Sequence, residues 1–173
     1  MDGRARRTDA SSRSAAVSAW RHGAAVAFLP GVVTLGVPAM IVERTGAAFG
    51  PSSVLGAPLV ALGLALVAWT IFLFATAGRG TLAPWDPTTR LVVRGPYRHV
   101  RNPMISGVLF ILVGEAALFE SVPLLVWFGA VFAVNAVYLP LVEEPSLQRR
   151  FGDDYEAYRA HVPRWLPRIR PWG

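Results

Sequence analysis

The sequence predicts an all-α polytopic membrane protein with four transmembrane helices and a cytoplasmic C-terminal amphipathic helix. Three observations carry this reading. Of 173 residues, 53% are hydrophobic and only 16% are charged, too apolar for an ordinary soluble domain. Uncharged runs are long enough to cross a bilayer. The basic residues gather in blocks that alternate with those runs, as the positive-inside rule requires.

Taken in order, residues 1–22 hold five arginines among many Ser and Ala and read as a mobile cytoplasmic extension. A cleaved secretory signal fits poorly, because the apolar run that follows contains Pro30 and Pro38 and has no small-residue cleavage site after it. Residues 24–42 carry no charge over 19 positions and form the first span. Residues 45–78 carry none over 34; Gly46, Gly50, Pro51, Ser52 and Ser53 make a turn, leaving 54–77 as the second span. Residues 23–80 are therefore a pair of N-terminal membrane helices. Residues 103–119, apolar except for Glu115, and 121–142 read as a tight helical hairpin turned at Glu120 to Pro123, with Pro103 well placed in the first turn of the third span.

The arginines test this count independently. Five precede the first span and Arg44 alone follows it; five lie between spans two and three, none in the hairpin turn, and six after span four, a split of 16 to 1. Four spans with both termini in the cytoplasm satisfy it, whereas a three-span arrangement puts five or six arginines on the wrong side. All 17 basic residues are arginine, a bias that reads as a GC-rich, bacterial coding sequence, so the expected location is a bacterial inner membrane.

The same composition excludes chemistry. Without cysteine there is no disulfide scaffold, thiolate metal site or cysteine nucleophile, and without lysine no Schiff base. His22, His99 and His161 have no metal-ligand spacing, so no metal is expected, and no nucleotide-binding or nucleophile-elbow motif occurs. The net charge of +6 follows topology rather than forming a soluble basic face, which points to anionic membrane lipids and not to nucleic acid.

Two polar stretches hold the remaining information. Residues 81–107 combine turn signals, a short β-like run from Leu91 to Val93, the aromatics Trp85 and Tyr97, and Arg94, Arg98 and Arg101, which on the residues alone read first as interface anchors. After span four, Leu147, Phe151, Tyr155 and Tyr158 recur at steps of 4, 4 and 3, one apolar helical face. That face suits a helix on the membrane surface, and Trp165 and Trp172 beside arginines suit interfacial anchoring. Glu143 and Glu144 end an apolar span, where a bare carboxylate pair is costly and a helix C-terminus disfavours negative charge. They need a partner: Arg98 or Arg101 in a structural clamp, or a ligand with hydroxyl or ammonium groups.

The order RGPYRHVRNPMISG, an apolar hairpin, then EEPSLQRRFGDDYEAYRAHVPRWLP resembles the isoprenylcysteine carboxyl methyltransferase and phospholipid methyltransferase family of integral-membrane enzymes. The resemblance covers residues 81–167 and implies a methyltransferase core over 81–173. It implies S-adenosylmethionine as cofactor and a membrane-embedded lipid or isoprenoid-type acceptor. Carried over by position, the cofactor contacts fall on Thr89, Arg90, Leu91 and Val92, on Tyr97, on Asn102, Pro103, Met104 and Ile105, and on Glu143, with the tail helix as a lid. No protein nucleophile is implied, because the cofactor carries the activated methyl group.

Two departures stand out. The family's R-H-P-x-Y pattern reads Arg101-Asn102-Pro103-Met104-Ile105, losing an imidazole and a phenol. Leu139 stands where the isoprenylcysteine-specific enzymes have an arginine for the acceptor carboxylate, which argues against a prenylcysteine substrate and leaves Asn135 and Tyr138 as candidates to face an acceptor tunnel. A small four-helix transporter and a non-catalytic membrane scaffold are the competing functions; the first generally needs an ionisable group deep in a span, and Glu43 and Glu115 sit near span ends.

Overall fold

Proline and glycine punctuation sets the helices. The computed structural model describes residues 30–77 and 91–173. The N-terminal extension expected over 1–22, the start of the first span, and Thr89 and Arg90 lie outside the described residues. The described secondary structure is helical, with no strand among the described residues; Leu91 to Val93 are not paired as a strand. Helix α1 (Val37–Thr45) continues a π turn at Val32–Gly36, α2 is Ser53–Ala77 and α3 is Pro103–Leu118. Helix α4 (Val122–Tyr138) runs through a second π turn at Leu139–Glu143 into α5 (Glu144–Phe151), and α6 is Asp153–His161.

Each π turn has a proline at or beside it, Pro38 just after the first and Pro140 within the second. Neither proline brings an N–H to the ladder, and both helices run on past it without a break. In the first, Val37 N–H reaches Val32 O and Trp127 of α4 donates to Val33 O at 3.0 Å. In the second, Glu144 N–H reaches Leu139 O. The acidic pair therefore does not end a helix: Val122–Phe151 is one rod of 30 residues, and the expected clash with a helix C-terminus does not arise at Glu143 and Glu144.

Two helices, α2 and the Val122–Phe151 rod, are long and apolar enough to cross a membrane, while α3 is shorter. Their outer faces leave Leu62, Leu64, Phe72, Leu125, Val126 and Val134 exposed, an apolar surface that water would not support and lipid does. Helix α3 is central, with Leu109, Ile111 and Leu112 buried, and packs most extensively on α2. A Cβ added at Gly63 would stand 2.5 Å from Gly107 O, and one at Gly56 would stand 2.6 Å from Gly114 O. The two backbones meet along a seam that only glycine permits.

The turn before α2 and the α3–α4 turn lock together at one end. Phe49 stacks on Phe119 with ring centroids 4.8 Å apart, and Glu120, at φ 45, accepts from Ser52 N–H at 3.0 Å and Ser52 Oγ at 2.9 Å. These bonds, the backbone one foremost, hold the Glu120 carboxyl below the usual carboxylate range. A depressed folded-state value contributes stability that is present above the unfolded value, about 4.3, and fades as pH falls through the folded one. The thermal midpoint in detergent should thus fall between about pH 5 and pH 3 in wild type and fall less in Glu120→Gln; equal slopes would remove Glu120 from the account.

The amphipathic tail is two helices, not one. Gly152 sits at φ 52, ψ −128, a conformation closed to side-chain-bearing residues, and divides α5 from α6. The predicted face survives the break: Tyr155, Tyr158 and Val162 form a small core against Leu147, Phe151, Leu91 and Val93. Trp172 packs on Tyr158 and stacks on His161 at 5.5 Å.

Candidate functional site

Of the polar elements singled out in the sequence, those among the described residues, the segment from Leu91 to the start of α3, the acidic pair and the tail, converge at the end opposite the Glu120 turn. The Gly95–Arg98 3-10 turn follows Arg94 in extended geometry, and its Pro96 and Tyr97 are buried. Residues 98–101 then receive the C-terminal tail as a strap. Arg101 N–H donates to Pro163 O at 2.9 Å, Arg168 N–H to His99 O at 3.0 Å and Trp172 N–H to Arg98 O at 3.0 Å. The side chains reinforce it: Arg98 Nε donates to Trp172 O at 2.8 Å, and His99 Nδ1 lies 2.7 Å from Arg168 O.

The second π turn gives the two acidic residues different fates. Glu144 is 4% exposed and carries the ion pairs. Arg164 binds it in fork geometry, Nε to Oε1 at 2.6 Å and Nη2 to Oε2 at 2.9 Å, and Arg101 Nη1 reaches Oε1 at 3.0 Å. Arg159 Nε lies 3.8 Å from Oε2. Of the clamp partners expected from sequence, Arg101 is confirmed and Arg98 is not, since its Nε is committed to the strap. Arg159 and Arg164 went unrecognised; the available signal was their position on and just after the tail helix, one face away from its apolar stripe. Glu143 is half-buried, and among the described residues no cation pairs with it.

Tyr97, Tyr155 and Tyr158 lie beside the acidic pair. Tyr158 OH donates to Tyr97 O at 2.7 Å, tying the tail core to the 3-10 turn. Burial first, then the neighbouring Tyr158 and the charge of Glu143, push the Tyr97 phenol well above its ordinary value. Tyr155 is raised by burial and by Glu144, with Arg101 opposing, so one phenol feels both sides of the cluster.

Of the expected cofactor contacts, the structure thus brings Tyr97 and Glu143 into one neighbourhood, with Leu91 packed against the adjoining tail core. Asn102 is the N-cap residue of α3 but makes no side-chain capping bond, so its carboxamide stays uncommitted. Met104 and Ile105 are half-buried in the first turn of α3, while Val92 and Pro103 are buried in packing. Thr89 and Arg90 lie outside the described residues. Leu139 is 1% exposed, a core position, and Asn135 donates to Val131 O at 2.8 Å within its own helix. A cavity of about 360 Å³ between α2 and the strap is lined by Leu66, Trp69, Pro96, Arg98 and Pro167 among others, and by none of the expected contacts.

A bundle of apolar helices with lipid-compatible outer faces, whose acidic pair straddles the end of a π turn, is the architecture of a membrane protein rather than of a soluble domain. The chain belongs to the phospholipid methyltransferase family, membrane methyltransferases acting on lipids, whose profile matches residues 51–154. The match takes in α2, the 3-10 turn, the α3–α4 hairpin and the acidic pair, and ends at the start of α6. No curated protein and no solved structure gives a significant match.

Proposed function

We propose that the protein transfers a methyl group from S-adenosylmethionine to a membrane-embedded lipid acceptor at the cytoplasmic face of a bacterial inner membrane, from a bundle of four spans with both termini inside. The observation that carries the reading is the asymmetry of the acidic pair inside the family match. Glu144 has three arginines and Glu143 has no cation among the described residues, although the two are neighbours, Glu143 closing the π turn beside the buried Tyr97 and Glu144 opening α5. A half-buried carboxylate without a cation suits a ligand that brings hydroxyl or ammonium groups. The placement of 16 of 17 arginines supports the orientation, because a cytosolic cofactor must be met on that side.

The residues fit the cofactor. Glu143 would hold ribose hydroxyls or the methionine ammonium, the uncommitted carboxamide of Asn102 can both donate and accept, and Tyr97 with the adjoining Leu91 would bound the adenine. When bound, the cofactor supplies a sulfonium-borne methyl group ready for in-line displacement. The chain's part is positioning and exclusion of water: the tail core of Tyr155 and Tyr158 caps the polar end as a lid, and the strap fixes the 3-10 turn beneath it. The domain reading follows: 23–80 supply the N-terminal spans and 81–173 the methyltransferase core.

Calorimetric titration of detergent-purified protein with S-adenosylhomocysteine should show binding that Glu143→Ala weakens at least about tenfold, the worth of one charge-assisted contact. Undiminished binding by that variant would remove Glu143 from the site. Labelled methyl should then pass into a total lipid extract, and binding without any transfer would favour a non-catalytic scaffold.

A further inference from the structure

The cavity between α2 and the strap takes no part in the cofactor site. Its volume of about 360 Å³ lies within the range of small-ligand sites, and it opens beside the C-terminal half of α2. Its floor is closely built: Gly95, at φ 54, turns directly on the Trp69 indole, where an added Cβ would stand 3.1 Å from Cζ2. Leu66, Trp69, Pro96, Val100 and Pro167 make apolar walls, Arg98 and His99 are the polar lining, and among the described residues no carboxylate faces it. His99 is already held through Nδ1 by Arg168 O at 2.7 Å. Arg98 is only half engaged. Its Nε donates to Trp172 O at 2.8 Å, and among the described residues its side chain has no other bond and no ion pair, so both Nη groups are unspent.

The surface around the guanidinium is lipid-like. Leu62, Leu66, Trp69 and Leu73 recur at steps of 4, 3 and 4 on one face of α2, and Leu62 and Trp69 are each 52% exposed. On the strap side Leu166 and Ile169 stand exposed on either side of Pro167 and Arg168. Residues 162–173 carry three arginines and no acid. A cation with unspent donors at the head of an exposed apolar stripe fits an anionic amphiphile.

We propose that this cavity holds an anionic phospholipid as a resident lipid, its phosphate on Arg98 Nη1 and Nη2 and its acyl chains along the stripe that descends from Leu66 to Leu62. A zwitterionic headgroup gains nothing further there, because no carboxylate is present to receive its ammonium. None of the residues given to the cofactor lines the cavity, which separates this lipid from the methyl acceptor. Because Arg98 Nε already holds the strap, a phosphate on the remaining nitrogens ties α2, the 3-10 turn and the strap into one body.

The test titrates the full-length protein in detergent with dioleoyl-phosphatidylglycerol or dioleoyl-phosphatidylcholine, read by native mass spectrometry and thermal midpoint. Wild type should bind one phosphatidylglycerol about tenfold more tightly than phosphatidylcholine and gain midpoint from it. Arg98→Gln should bring the two lipids to within about threefold, and Arg98→Lys should keep part of the preference. The ratio is read within each protein, so the structural cost of losing the strap bond cancels. Leu66→Trp fills the cavity from α2 without touching the strap and should abolish the preference even where Arg98→Gln fails to fold. Arg149→Gln removes the same charge from the exposed face of α5 and should leave the preference intact. Equal affinity of wild type for the two lipids, a preference that survives Leu66→Trp, or an equal loss in Arg149→Gln overturns the inference. Displacement of phosphatidylglycerol by sn-glycerol 3-phosphate marks a soluble-anion site and overturns it too. The methyl donor enters none of these measurements, so the cofactor reading stands or falls separately.

Discussion

Replacing Glu144 by alanine is expected to destabilise the C-terminal half of the molecule by about 3 kcal/mol, the usual cost of stripping one partner from a buried ion pair. The carboxylate is 5% exposed at its side chain, and its partners Arg101 and Arg164 are 10% and 27% exposed, so water replaces little of what is lost. Arg159, at 56%, contributes little to that figure because solvent already screens it. Glu144 joins three pieces distant in sequence: the residue before the N-cap of α3, the start of α5, and the segment after α6. Its loss should therefore free the strap before it melts the bundle. Trypsin should cut after Arg164 and Arg168 in Glu144→Ala under conditions that leave wild type intact, with a lower thermal midpoint in detergent. Glu143→Ala, one residue away but without an ion pair, should keep the wild-type midpoint. Equal midpoints and digestion for wild type and Glu144→Ala would show the cluster to be structurally idle.

Valine at Gly63 should be at least as damaging, through sterics rather than charge. Its Cβ alone would meet Gly107 O at 2.5 Å and Ile111 N at 2.8 Å, both backbone atoms that no rotamer change can move. The helices must separate, and the seam continues at Gly56 against Gly114, so separation at one crossing loosens the next. Overpacking of this kind costs about 3 kcal/mol or more. Gly129 of α4 supplies the control: nothing lies within 4 Å of a Cβ there, and alanine should raise helix stability by up to about 1 kcal/mol. Thermal unfolding in one detergent compares the two; a Gly63→Val midpoint no lower than that of Gly129→Ala would mean that α2 and α3 do not pack as described.

Much of the architecture was legible because a membrane protein writes its helices in long runs. The second span expected at 54–77 is α2 at Ser53–Ala77, and the hairpin turn expected from Glu120 falls between Leu118 and Val122. The face of Leu147, Phe151, Tyr155 and Tyr158 was readable because helical period survives a break that keeps the register of its buried side. What failed did so for local backbone reasons. The helical period runs straight through Gly152, although its positive φ divides the tail, and the expected helix end at the acidic pair is a π turn that leads on into α5. The glycine seam left a trace, since Gly56 and Gly63 share the spacing of Gly107 and Gly114, but spacing within each helix does not say that the two stripes face each other.

At the candidate site the division is sharper. The sequence alone determined that this chain is helical and apolar, that its arginines gather in blocks between the apolar runs, and that an acidic pair ends its last apolar run, because hydropathy and charge are properties of neighbouring residues. Only the tertiary structure decided which carboxylate is paired and which is open. Arg101 and Arg164 reach Glu144 across 43 and 20 residues of chain, and the π turn sets Glu143 apart from them. No local pattern encodes a choice between adjacent glutamates; it is made by how α3, the helical rod and the strap come together in space.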